Sequence, residues 1–448
     1  MNVGEASKPA ANAAGAEADA GASIHAIAAE IFPLCRSITG DGVRETLRRL
    51  GGHIPLEVVE VESGAPACDW TVPDEWTIRA AYIENAAGER IVDSCANPLH
   101  VMSYSVGVDE VLPLAELKRH IFTLSDQPDL IPYRTSYYEP RWGFCMAHRQ
   151  LEALPDGLYR AVIDADLAPG HLTYGECYLP GETPDEVLLS AHICHPGMAN
   201  DNCSGLALLT FLASRLAGER RRYSYRFLFA PGTIGALTWL ARNGEAVSRI
   251  RHGLVLSCVG DGGGPYYKRS RRGNAAIDRA MDHVLRLNSA APEIVDFFPY
   301  GYDERQFCSP GFDLPVGLFQ RSRYASFPEY HTSADAMDFI APEHLAESYG
   351  LVREALFVIE NDRVYRNLFP KGEPQLGRRG LYDALGGDPK GAEKNIAMLW
   401  VLNLSDGEHS LLDIAKRAKI PFATIFATAT LLERHKLIAP SRRSRNLA

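Results

Sequence analysis

The chain has 448 residues, 46% hydrophobic and 23% charged, the composition of a soluble globular protein of two or three domains. No uninterrupted apolar run reaches the roughly 18–20 residues that a membrane helix needs, and nine cysteines without CxxC spacing fit reduced thiols in a cytoplasm better than a disulfide framework. The net charge of −10 is uneven: residues 375–448 hold 12 Lys/Arg against 7 Asp/Glu, so an acidic body of −15 precedes a basic end, which argues against the whole chain being a nucleic-acid binder.

Residues 1–22 are rich in Ala and Gly, lack the basic-then-apolar pattern of a secretory signal, and are expected to form a disordered tail. Ser23 to Leu50 has apolar residues at helical spacing, interrupted by the loop Cys35-Arg-Ser-Ile-Thr-Gly40. From Leu56 to about Phe144, short alternating runs separated by Pro, Gly and Asp predict β structure. Beyond Arg160 the rhythm becomes strand, loop, helix. Strands are expected at Glu186–Ser190, Arg226–Ala230, Gly253–Val259 and Leu314–Phe319, and helices at Leu206–Leu216, Ile234–Asn243 and Glu343–Asn361. Alternation of this kind predicts an α/β fold with a mostly parallel or mixed sheet sandwiched by helices. After Lys371 come three short helical patterns, Glu393–Leu402, Ser410–Ala418 and Phe422–His435, followed by Leu437-Ile438 as a strand. That is the pattern of a winged helix, with Ser410 as an N-cap and Pro421 opening the third helix.

The most informative stretch is Ser190-Ala-His-Ile-Cys-His-Pro-Gly-Met-Ala-Asn-Asp-Asn-Cys-Ser-Gly205. It follows an apolar strand and precedes a buried helix, so it belongs at the carboxyl end of a sheet strand, where α/β proteins bind ligands. Imidazoles with a carboxylate suit a zinc-like ion. Taken singly, each histidine reads first as a loop residue satisfied by backbone groups; the cluster shifts the balance toward the metal. Glu329-Tyr-His-Thr-Ser-Ala-Asp335, after a later strand, offers a distant histidine with a trailing carboxylate. Gly260-Asp-Gly-Gly-Gly264 lacks the Lys-Ser/Thr of a phosphate-binding loop and reads as a turn.

In this order, a strand-end His, Asn-Asp-Asn-x-Ser-Gly and a downstream Tyr-His-Thr-x-x-Asp resemble the zinc aminopeptidase clan that includes bacterial leucyl aminopeptidases and glutaminyl cyclases. More closely, the chain resembles a family of aminopeptidase-like proteins with a β-rich insertion and a C-terminal winged helix. Leu34-Cys-Arg-Ser-Ile-Thr-Gly40, Asp69-Trp-Thr-Val-Pro-Asp-Glu-Trp76, Ile131-Pro-Tyr133, Trp142-Gly-Phe144, Tyr174-Gly-Glu176 and Gly301-Tyr-Asp-Glu-Arg-Gln306 carry the likeness. The resemblance implies a zinc-aminopeptidase-like α/β domain over 23–55 and 150–370, a β-rich insertion over 56–149 and a winged helix over 376–448. Within the insertion, Pro73 and the acidic neighbours of Trp70 and Trp76 read as a strand-to-turn passage, which places both rings in the core rather than against a ligand. It implies one or two zinc ions held by His192, Asp201 and His331, with His195 supporting the site without binding metal. Asp303 and Glu304 would line the catalytic end of the cleft; Arg305 and Tyr330 would bind substrate, Arg305 through a bidentate pair with a carboxylate.

The chain also departs from that pattern. The clan has Asp two residues after the first His, where Cys194 stands; the closer family reads Pro-Glu-Thr-Ile-Gly where this chain reads Pro231-Gly-Thr-Ile-Gly235; a further clan Asp falls near Ser257, with Asp261 the nearest carboxylate. The general-base carboxylate is thus replaced by Gly232, whose missing side chain is expected to leave room for water or substrate. The leading expectation is a zinc-dependent hydrolase of an amide bond in a small peptide or aminoacylated metabolite, in the cytoplasm, with a homo-oligomer left open. A catalytically impaired binding or scaffold protein is the alternative. A ligand-sensing regulator is the third, but Phe422-Ala-Thr-Ile-Phe-Ala-Thr-Ala-Thr430 has no Lys or Arg to read bases, so neither nucleic acid nor membrane is expected as a partner.

Overall fold

Residues 186–192 read Glu-Val-Leu-Leu-Ser-Ala-His, with no solvent-facing side to the pleat. In the computed structural model, which describes residues 10–381 and 389–441, they form a strand that is buried at every position. Such a strand needs sheet neighbours on both edges and cover on both faces. It pairs in parallel with Ser224–Ala230 on one edge and Ile250–Leu256 on the other. The full sheet has eight strands in the order Glu57–Glu62, His171–Leu179, Ser224–Ala230, Glu186–His192, Ile250–Leu256, Val316–Gln320, Tyr266–Lys268, Glu293–Val295. The first two strands and Tyr266–Lys268 run antiparallel to their inner neighbours, so the sheet is mixed around a parallel centre. From His192 the chain passes first to the strand on one edge and then to the strand on the other. That is a switch point, and α/β proteins bind ligands at the carboxyl ends of the strands that flank one.

The chain divides into two compact units: residues up to Gly273 with Glu293–Gly350, and Asn274–Pro292 with residues from Leu351 onward. Within the first unit a separate four-stranded antiparallel sheet has the order Arg90–Asp93, Glu75–Glu84, Leu158–Ala168, Val108–Pro113. The expected borders of the insertion at 56 and 149 therefore shift. Glu57–Glu62 belongs to the large sheet, whereas Leu158–Ala168 belongs to the small one. The β-rich region has its own sheet, but its apolar residues, Trp76, Ile83 and Ile163 among them, form one continuous core with Leu188, Leu228 and Trp239. Trp76 is 2% exposed; it donates Nε1–H to the Ser105 carbonyl at 2.8 Å and stacks on Tyr104. Trp70 corrects the expectation: it is 45% exposed, edge-on to Tyr138 at 5.7 Å. It lies in a two-residue strand, too short to be covered on both faces.

The N-terminal tail is also corrected in part. A helix runs from Ala10 to Ile31, and Ala20 and Ile24 on it are buried; residues 1–9 lie outside the described chain. Helix Ala276–Asn288, absent from the sequence reading, belongs to the second unit, where Arg279 pairs with Asp413 at 2.5 Å and Asp282 with Lys416 at 3.1 Å. The rest of that unit is the winged helix. Helices Pro389–Leu404, Leu411–Ala418 and Phe422–Arg434 accompany a three-stranded antiparallel sheet with Val364–Asn367 in the middle, so the wing begins before the expected residue 376. Ser410 caps its helix as expected, with Asp413 returning the bond to the Ser410 N–H.

The two tryptophans give a direct test of the continuous core. Trp76→Ala should cost about 3–5 kcal/mol, the usual loss for a large buried aromatic, while Trp70→Ala should stay within about 0.5 kcal/mol. Denaturant midpoints followed by circular dichroism check both; equal losses would contradict this packing.

Candidate metal centre

The carboxyl end of the His192 strand runs into a buried loop, and the helix Gly205–Ala217 resumes beyond it. Asn202, rather than Asp201, meets that helix: its Oδ1 accepts the Gly205 N–H at 3.1 Å. Asp201 is thereby turned toward the histidines. Its Oδ1 lies 2.8 Å from His192 Nε2 and 3.9 Å from His195 Nδ1, and its Oδ2 lies 3.1 Å from His331 Nε2. The structure thus brings His192, Asp201 and His331 together and adds His195 to them. His195, expected only to support the site, stands within the knot, and the His-x-x-His spacing at a strand end is the signal for it.

Backbone donors hold the loop in place. Asp335 accepts the Asn200 N–H at 2.6 Å and the Asp201 N–H at 2.9 Å. Asn200 in turn gives its amide to Asp261 at 2.7 Å, and Asp261 also accepts from Ser322 Oγ at 2.6 Å and from the Gly263 N–H at 2.6 Å. Asp335 and Asp261 are therefore loop fasteners. Arg36, 1% exposed, donates Nε–H to the His195 carbonyl at 2.9 Å and lies 3.0 Å from Cys203 Sγ.

His331 adopts a left-handed backbone, φ 57°, which costs a non-glycine residue free energy and is often found where function demands it. It stacks on Tyr330 at 3.9 Å, and Tyr133 from the β-rich region stands edge-on to both His195 and His331. The Tyr133 N–H donates to the His331 carbonyl at 2.8 Å. Sequence reading noted Ile131-Pro-Tyr133 as a motif without giving it a place in the site.

Cys194, Gly232 and Tyr302 beside the knot carry no carboxylate. Cys194 Sγ accepts the Gly232 N–H at 3.2 Å and lies 3.5 Å from the Tyr302 hydroxyl. The Tyr302 ring lies on His192 with centroids 3.7 Å apart. The expected room at Gly232 is not there: a Cβ on it would collide with the Tyr302 hydroxyl. Asp303 accepts the Thr233 N–H at 2.7 Å. Glu304 and Lys268 form an ion pair at 2.5 Å with both side chains fully buried, and Glu304 also accepts the Tyr302 N–H at 3.0 Å. Gly301 makes this possible, since a Cβ there would strike both charged groups. Arg305 Nε is buried without a hydrogen-bond partner among the described residues.

Charge states follow from burial. Desolvation pulls the His192 and His195 imidazoles below their ordinary range. Burial opposes the Asp201 charge, but the surrounding imidazoles, His195 foremost, outweigh it and hold the carboxyl well below the usual carboxylate range. Neutral imidazoles around an ionised carboxylate are the forms that bind a divalent metal. Desolvation lifts Asp303 to about 7, the Thr233 N–H pulling the other way.

A family described as a domain of unknown function (DUF4910) matches residues 25–362, and a winged helix-turn-helix family matches 363–440. The chain belongs to the DUF4910 family. A Clostridium acetobutylicum protein, named as a polysaccharide biosynthesis protein with aminopeptidase-like domain, is 49% identical over 94% of this chain and 96% of its own length. A crystal structure of a C. acetobutylicum protein described as a peptidase superposes with a TM-score of 0.91 at 47% identity, covering 96% of this chain and 98% of the other. A zinc aminopeptidase from Bacillus subtilis shares the fold at a TM-score of 0.56 and 14% identity, covering 76% of this chain and 95% of its own. This DUF4910 member is an aminopeptidase-like protein with a C-terminal winged helix. Among the described residues no helix is long and apolar enough to cross a membrane.

The raised Asp303 predicts a pH effect. Its folded pKa lies above the unfolded value near 3.8, so the folded state binds more protons between about pH 4 and pH 7 and stability falls as pH rises through that window. Asp303→Asn, which keeps an acceptor for Thr233, should therefore gain stability over wild type as pH rises from 4 to 7 and hold that gain above 7. Thermal melts at each pH check this; a difference independent of pH would exclude the buried carboxyl as its source.

Proposed function

We propose that the protein is a zinc-dependent hydrolase of the aminopeptidase type, cutting the amide bond of a small peptide or an aminoacylated metabolite. The observation that carries the reading is the convergence of buried imidazoles on Asp201 at the carboxyl ends of parallel strands, in a fold shared with zinc aminopeptidases. The donor set fits zinc in type and number, with nitrogen and carboxylate ligands that need no large rearrangement to meet one ion. An ion held there would polarise a substrate carbonyl and activate water.

The chain's own residues do the rest. His192 and Asp201, with imidazoles from His195 and His331, would hold the ion. Arg305, with its buried unpartnered Nε, and Tyr330, stacked on His331, orient the substrate. Asp303 is a buried carboxyl that titrates near neutrality and can exchange a proton. Glu304 is neutralised by Lys268 and serves as a positioning residue that fixes the Tyr302 loop. The name of the C. acetobutylicum relative, with its reference to polysaccharide biosynthesis, favours an acylated sugar derivative among aminoacylated metabolites.

One observation favours a second reading, a binding protein on a peptidase fold: Cys194, Gly232 and Tyr302 offer no carboxylate beside the knot. Elemental analysis of protein purified without chelators separates the two. The hydrolase reading expects stoichiometric zinc, lost from His192→Ala, and turnover of aminoacyl amides that a chelator abolishes. Protein free of metal in every such preparation would remove it.

A further inference from the structure

We propose that the winged-helix unit holds a ligand site of its own, a preformed pocket that takes a small organic ammonium ion carrying an apolar body. The inference stands apart from the hydrolase reading, because none of its residues belongs to the metal centre.

The loop 368–374 reads Leu-Phe-Pro-Lys-Gly-Glu-Pro. Its two prolines fix φ and donate no hydrogen bond, and Gly372 turns the chain with φ 78°. Such a loop cannot continue the strand Val364–Asn367. Residues of this loop and of the helix Pro389–Leu404 line a cavity of about 460 Å³. That size falls in the range of small-molecule sites, roughly 300–1,000 Å³. Leu399 and Leu402, neighbours on one face of the helix, supply its apolar wall.

The wall is fixed before any ligand arrives. Asn367 Nδ2 donates to the Leu402 carbonyl at 2.8 Å, and Asn367 Oδ1 accepts the Phe369 N–H at 2.8 Å. The Asn367 N–H donates to the Ser405 carbonyl at 2.6 Å, and the Ser405 N–H to the Val401 carbonyl at 2.9 Å. The Ser405 backbone is thus spent, but its hydroxyl is not. Ser405 lines the cavity and is 2% exposed, and its Oγ has no hydrogen-bond partner among the described residues. Leaving a buried hydroxyl unpaired is costly, and a ligand that pairs with it removes that cost.

The charge of the lining selects the ligand. Glu373 and Asp406 contribute carboxylates, Asn403 an amide, and no Lys, Arg or His lines the cavity. The contrast with the surroundings is sharp, since residues 375–448 are basic overall, with 12 Lys/Arg against 7 Asp/Glu. Asp406 Oδ1 accepts the Glu408 and His409 N–H groups at 2.8 and 3.0 Å, and Oδ2 lies 2.8 Å from His409 Nδ1. Asp406 is therefore held in place and acts on a ligand through its field rather than a direct bond. A phosphate or carboxylate is repelled by such a lining. An ammonium group is attracted to it and can give an N–H to Ser405 Oγ while its apolar body packs on Leu399 and Leu402.

Hexylamine, hexanol and hexanoate share one apolar body and differ in charge. Each is titrated into the full-length protein by ligand-observed NMR, with circular dichroism to confirm that variants fold. Wild type should bind hexylamine about tenfold tighter than hexanol, the usual gain of a charged over a neutral hydrogen-bonding group, with hexanoate weakest. Ser405→Ala should weaken hexylamine about 2–10-fold. Asn403→Trp, at an exposed lining residue where the ring would fill the cavity, should abolish binding. Glu373→Gln should narrow the preference over hexanol. Hexylamine bound no tighter than hexanol, a preference for hexanoate, or no binding at all overturns the proposal, the last leaving the Ser405 hydroxyl to water. Binding unchanged by Asn403→Trp overturns it too, as general attraction to an acidic chain. If Ser405→Ala does not fold, Asn403→Trp and Glu373→Gln decide. No outcome bears on the metal centre, so the hydrolase reading stands or falls separately.

Discussion

Asp201 carries a negative charge in a place where water does not reach, 2% exposed at the end of a wholly buried strand. Burying a carboxylate without partners costs several kcal/mol or forces it to neutralise. The cleft is arranged to avoid that. His192 and His331 sit on its two oxygens, and Asp335 pins its backbone N–H together with that of Asn200. Asp335 does so from the segment just after His331, so the backbone that delivers the far histidine also positions the carboxylate it meets. The loop 192–204 and the segment 331–335 are locked as a pair, and the polar residues around them are committed to keeping both in register.

The same economy explains why the β-rich region is fused to the α/β body. The loop Cys35–Gly40 is a joint: Arg36 holds the His195 carbonyl, Ser37 Oγ meets Ser103 Oγ at 2.6 Å, and Thr39 Oγ1 meets the Tyr104 hydroxyl at 2.7 Å and the Trp76 N–H at 2.9 Å. Tyr133 then reaches the histidines from the other side, and its backbone pairs with the His331 segment. One contiguous apolar core underlies both sheets, which is why the region does not behave as an independent insertion.

The Cys194–Gly232–Tyr302 contact is the point at which a shared fold stops predicting a shared mechanism. Tyr302 fills the volume that a side chain at position 232 would need, the Gly232 N–H satisfies the Cys194 thiol, and the Tyr302 backbone is fixed through Glu304 and Lys268. These are mutually dependent neutral contacts beside a charged knot.

The sequence by itself determined the elements and the chemistry at their ends. Continuous apolar runs at 186–190 and 226–230 identified buried strands, because only a strand covered on both faces lacks polar alternation. Ser410 and Pro421 marked the starts of two helices within the winged helix through local hydrogen bonding and a fixed φ. His192, Asp201 and His331 were legible because donors of the right type stood at strand ends. What only tertiary structure decided was everything set by contacts distant in the chain. Glu304 reads as a free carboxylate until Lys268 is seen 2.5 Å away, Gly232 reads as empty space until Tyr302 fills it, and Trp70 and Trp76 look alike until one is packed and the other is not. The arrangement of His195 and His331 around Asp201 belongs to the same class. Spacing along a chain says which donors are available, but which oxygen of Asp201 each imidazole faces depends on how segments 130 residues apart are brought together.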